Sequence, residues 1–89
     1  MSRLIPAAER IVRARKLIQR ARDLPLPTDE DLLGLSYIAG VKDLLRQARD
    51  LVKFIPYAPT TTPELKEEVT RINQEADQAQ DELLHKTKR

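Results

Sequence analysis

The chain predicts an all-α fold, an antiparallel three-helix bundle running up, down and up. Apolar residues recur at helical spacing in three separate stretches, proline-rich breaks divide them, and no stretch alternates as a strand would. With 89 residues the chain suits one domain, residues 1–89, with helices expected at about 6–23, 29–55 and 63–86. A chain this small buries only about 60 to 65 per cent of its unfolded surface, so a partner has room to add stability.

The first helix should open at Ile5 or Pro6, because proline at the first turn lacks only an N–H that would be unpaired anyway. Ala7, Ile11, Ala14, Leu17, Ile18 and Ala21 share one face, and alanine at every seventh position lets a neighbouring backbone come close. The opposite face carries Arg13, Lys16 and Arg20, flanked by Arg10, Arg15 and Arg22. Residues 1–23 hold seven basic and two acidic side chains, so the remainder of this +2 chain sums to −3. Leu24-Pro25-Leu26-Pro27 stops the helix, since each proline removes a donor and drives its predecessor out of the α region. A connection this short joins antiparallel neighbours.

Thr28-Asp29-Glu30-Asp31 reads as the start of the central helix: a capping oxygen, then carboxylates at the positive end of the helix dipole. Pro56 ends it. Leu33, Tyr37, Ile38, Val41, Leu44, Leu45, Ala48, Leu51, Val52 and Ile55 fall in one broad arc, wide enough to serve two neighbours. Gly34 and Gly40 then lie inside the helix, where close packing or a kink would account for them. After a second proline-containing connection, Thr62 and Pro63 restart a helix as cap and first residue. Leu65, Val69, Ile72, Ala76, Ala79 and Leu83 follow a heptad seam of coiled-coil character, surrounded by Glu, Lys, Gln and Asp.

Catalysis needs a nucleophile with its base, convergent carboxylates, or a metal set. The sole histidine, His85, sits near the chain end, and Ser36 lies mid-helix without a histidine near it. Glu64, Glu67, Glu68, Glu75, Asp77, Asp81 and Glu82 share their surface with Lys66 and Arg71, as a solvated helix face does. No catalytic residues, metal ligands or cofactor are expected, and with no cysteine there is no disulfide. No apolar run approaches the roughly 20 residues that span a bilayer, and no secretory signal opens the chain, so an intracellular site, cytoplasmic or nuclear, is expected.

Function is therefore expected to lie in binding, through three surfaces. The first helix should reach back only to about Arg46, leaving Val52, Phe54, Leu51 and Ile55 with Leu65 or Val69 as an open apolar end, unless Leu4, Ile5 and Tyr57 cap it. Leu32, Leu35 and Ala39 form a short outer stripe on the central helix that Leu24 and Leu26 are placed to join. Arg13, Lys16 and Arg20 offer steering charge. The expected role is an interaction module, adaptor, scaffold or small complex subunit that binds a helical or extended segment of another protein. Two alternatives use the same residues differently: the basic helix binding nucleic acid or anionic membrane, and homo-oligomerisation through the third helix. No aromatic interleaves the cations and Val12 is the only sizeable apolar residue near them, which argues against nucleic acid and against membrane insertion.

Overall fold

A computed structural model describes residues 6–26 and 34–87, the side chains of 85–87 excepted. The chain forms α1 (Ala7–Asp23), α2 (Leu35–Val52), a 3-10 turn (Ile55–Tyr57) and α3 (Pro63–Thr87). All three helices touch one another, and the surface shared by α1 and α2 is the largest. This is an all-α three-helix bundle. Side-chain contacts report the directions: Arg15 pairs with Glu68 and Arg22 with Glu82, so α1 and α3 rise together, whereas Arg10 near the start of α1 donates to the Leu51 carbonyl near the end of α2.

Pro6 lies just outside α1 with extended backbone, and its carbonyl accepts from the Arg10 N–H at 3.0 Å. At the other end Leu24 is extended, φ −61° and ψ 138°, as a residue preceding proline should be. Glu9 in the first turn and Arg20 and Arg22 in the last complement the helix dipole.

α2 starts later than the sequence suggested. Gly34 is not an interior helical residue; it stands just before the helix with φ 65°, a left-handed conformation that interrupts any right-handed helix. Its carbonyl accepts the first intrahelical bond, from Ile38 N–H at 2.9 Å. The helix through Leu35 thus cannot run unbroken back to Asp29; the expected cap at Thr28 and the core position Leu33 lie outside the described residues. Gly40 does lie inside α2, and close packing explains it: a Cβ there would stand 3.2 Å from the Leu24 Cδ1.

The later start matches the two helices, with 17 residues in α1 and 18 in α2. Because α2 is shorter than expected, α1 spans nearly all of it, and the expectation that α1 stops near Arg46 fails: Arg10 Nη1 donates to the Leu51 carbonyl at 3.4 Å. Beyond Val52 the chain tightens into the 3-10 turn around Pro56, and the Thr61 hydroxyl donates to the Ile55 carbonyl. Thr62 caps α3 as expected, its Oγ1 accepting the Leu65 N–H at 3.2 Å.

The core is assembled from one stripe per helix. α1 buries Ile11, Ala14, Ile18 and Ala21; α2 and the turn bury Tyr37, Val41, Leu44, Leu45, Ala48, Val52 and Ile55; α3 buries Val69, Ile72, Ala76, Ala79 and Leu83. Ala14, Ala21, Ala48, Ala76 and Ala79 are all fully enclosed, so every helix presents at least one residue small enough for close approach. No polar or charged residue among those described is buried apart from the Tyr37 hydroxyl tip.

Candidate functional site

Two concavities lie on the α1–α2 side of the bundle and share a wall. The first, about 340 Å³, opens at the end where α1 begins and α2 gives way to the 3-10 turn. Ala7, Leu51, Phe54, Ile55 and Leu65 form its apolar lining, with Arg10 and the Thr60–Thr61 backbone turn at its edge. The sequence predicts an open apolar end here, but the cause differs from the one expected. α1 is long enough; Phe54 stands at the rim because, two residues and roughly 200° of helical turn after Val52, it falls on the side opposite the core arc that Val52 and Ile55 share. Phe54 is 69% exposed, while its neighbour Ile55 is buried. Lys53 Nζ sits 5.1 Å from the Phe54 ring centroid, a cation–π contact on one side of the ring.

Two expected members of this end belong to the core instead. Val52 is fully buried, two residues before the exposed Phe54, and Val69 is likewise enclosed. Tyr57 does not cap the recess, being 82% exposed, and Leu4 and Ile5 lie outside the described residues.

The second concavity is a groove of about 410 Å³ between α1 and α2, lined by Arg13, Lys16, Leu17 and Arg20 from α1 and by Gln47 and Leu51 from α2. Leu51 lines both hollows, so they adjoin at that side chain. All three cations picked from the sequence come together here. Leu17, Leu51 and Gln47 also line it, although the first two carry the core periodicity and Gln47 carries no periodic signal at all; half-buried positions at the margin of a core arc are the only hint in the sequence.

The cations of α1 divide by helix face. Arg15 and Arg22 turn toward α3, where Arg15 pairs with Glu68 at 2.6 Å and Glu75 at 3.5 Å, and Arg22 with Glu82 at 2.9 Å. The hydrogen bond to Glu68 holds the Arg15 guanidinium protonated more firmly than usual, against the opposing effect of partial burial. Arg13 pairs within α1, with Glu9 at 2.5 Å. Lys16 and Arg20 make no ion pair among the described residues, and both are exposed. The α2 carboxylates are engaged within their own helix and its end: Asp43 accepts from Arg46 at 2.5 Å and Gln47 at 2.7 Å, and Asp50 meets Arg46 at 3.1 Å and Lys53 at 3.6 Å. Bonding to Arg46 first, then Gln47, pulls the Asp43 carboxyl below the usual carboxylate range.

The outer stripe on α2 is described only in part. Leu35 is 62% exposed and Ala39 is exposed, as is Leu26, but Leu32 lies outside the described residues. Leu24 does not join them; it is half-buried, seated over Gly40 and against the core.

Among the described residues no cluster of His, Asp or Glu is placed to hold a metal ion, and no helix is long and apolar enough to cross a membrane. The chain matches no protein-family model, no curated protein and no solved structure.

Proposed function

We propose that the chain is a non-enzymatic interaction module that binds a helical or extended segment of another protein, seated in the recess lined by Ala7, Leu51, Phe54, Ile55 and Leu65. The observation that carries this reading is the exposure of Phe54 at the rim of an apolar hollow. A phenyl ring held at the edge of a concavity is the arrangement that anchors a partner's apolar side chain, because enclosing both removes a large apolar area from water at one spot. The surrounding charges suit steering and register more than chemistry: they sit on exposed side chains in ordinary ion pairs.

Oligomerisation through the α3 seam is less well supported, because Val69, Ile72, Ala76, Ala79 and Leu83 are already enclosed by α1 and α2 and offer little area to a second copy. The role as adaptor, scaffold or complex subunit follows from the same recess and differs only in what the partner belongs to.

The test is a selection of binders from a displayed library of random peptides against the full chain, followed by titration of the selected peptides into Phe54→Ser and Leu35→Ser. Phe54 is exposed, so Phe54→Ser should keep the helical signal and the melting curve while weakening binding at least about tenfold, a loss of about 1.4 kcal/mol. Equal binding to Phe54→Ser, with loss in Leu35→Ser, would move the site to the outer face of α2.

A further inference from the structure

We infer that the partner segment is acidic as well as apolar: it carries an apolar anchor for the Phe54 recess and two or more carboxylates that run along the α1–α2 groove to Lys16 and Arg20. This rests on the reading of the recess as the binding site and adds the partner's chemistry.

Three observations lead there. The recess and the groove meet at Leu51, so an occupant of one is already at the mouth of the other. The groove has an apolar floor, Leu17 and Leu51, beneath a row of cations from one helix. Within that row Arg13 is neutralised by Glu9, whereas Lys16 and Arg20, four residues and so one turn apart, make no ion pair among the described residues. Two uncompensated cations on one edge of an apolar trough call for two discrete carboxylates on a side chain-bearing segment. A phosphate polyanion fits less well. It would cover the apolar lining of Leu17 and Leu51 with nothing apolar.

The geometry sets the spacing. The recess is level with Ala7 and Arg10 on α1, and Lys16 and Arg20 lie six to ten positions beyond Arg10. At about 1.5 Å per residue that is roughly 9 to 15 Å, which is about six to ten residues of a partner helix or about three to five of an extended strand. The anchor and the carboxylates should therefore occur at one of these two separations.

The experiment uses the same displayed library on the full chain. Enriched peptides are then synthesised in two forms, with their Asp and Glu intact or replaced by Asn and Gln. Both forms are titrated into the natural chain, Lys16→Gln/Arg20→Gln, Lys16→Glu/Arg20→Glu and Phe54→Ser, with helical signal and melting recorded for each. Equimolar phosphatidylcholine–phosphatidylserine vesicles and a short DNA duplex are titrated alongside. The expected result is that the acidic forms bind the natural chain about tenfold more tightly than the amide forms. That preference should disappear in Lys16→Gln/Arg20→Gln, reverse in Lys16→Glu/Arg20→Glu, and fall away as salt rises. If enriched peptides lack carboxylates, or bind the Lys16 and Arg20 variants as well as the natural chain while still losing to Phe54→Ser, the inference is overturned and the recess stands as the binding site. If no peptide depends on Phe54, both are overturned. Tighter binding of vesicles or duplex than of any peptide, lost in the glutamine double variant, would also overturn the inference and assign the groove to phosphate.

Discussion

The Tyr37 side chain is buried at 6% exposure among apolar neighbours, yet its hydroxyl finds no hydrogen-bond partner among the described residues. Burying a hydroxyl without a partner costs about 1–3 kcal/mol, and removing it recovers some of that. Tyr37→Phe should accordingly leave stability unchanged or raise it by up to about 1 kcal/mol, read as an equal or higher denaturation midpoint. Gly34 points the other way. Its φ of 65° places an L side chain in the left-handed region, and Gly34→Ala should lower stability by about 1–2 kcal/mol in the same measurement. Both residues also mark where sequence periodicity stops informing. Tyr37 falls correctly on the core arc, because a position within the arc follows from angle alone. Gly34 falls on the same regular helix in sequence and leaves it in the structure, because Thr28-Asp29-Glu30-Asp31 is a strong start signal and a glycine looks the same in a helix and before one.

At the scale of the helix, α2 carries an exposed ladder in which Arg46 reaches both Asp43 and Asp50. Its effect on pH dependence has a definite sign. The Asp43 carboxyl is held below its ordinary value in the folded chain, so the unfolded chain takes up protons first as pH falls. The ladder's contribution to stability is therefore fully present above about pH 4 and is lost as pH drops through the depressed folded value. An NMR titration of the Asp43 carboxyl carbon should show its midpoint below that of aspartate in a short peptide, and Arg46→Ala should bring it back toward the peptide. Helix faces in the interior of each element were legible: the seven-residue alanine repeat of α1 and the heptad of α3 both face the core. Helix ends were not. Val52 and Phe54 both read as an open end, yet one is enclosed and the other stands out, as about 100° per residue already places them on opposite sides; what the sequence did not show was how far α1 reaches along α2, which depends on where α2 begins. The basic face of α1 divides for a related reason. Whether an arginine finds a carboxylate depends on the rotation of α3 beside it, which charge spacing in α1 alone does not specify.

For the whole molecule, stability rests on one thin core to which each helix adds a single stripe. Ile72 has no exposed surface and lies at its centre on α3. A charge there, as in Ile72→Glu, should cost about 3–5 kcal/mol against a total of about 4–13 for a chain of this length. A fall in melting temperature of more than about 12 °C, or loss of a cooperative transition, is the expected reading. Were α3 instead the seam of an oligomer, the same variant would keep its helical signal and change its molar mass. Substitutions at Lys16 or Arg20 should spare stability, since neither touches the core and neither forms an ion pair among the described residues.

The elongated outline of the bundle also has a hydrodynamic consequence. The particle measures 49 × 30 × 16 Å, with a radius of gyration of 15.0 Å against about 12 Å for a compact chain of this length. A slab of this aspect feels more friction than a sphere of equal mass. It will leave a gel-filtration column calibrated with round standards ahead of its true mass, in the position of a larger protein. Light scattering, which is blind to friction, will report the true mass at the same elution volume, and ¹⁵N relaxation will show helix N–H vectors along the long axis decaying at rates distinct from those in the turns.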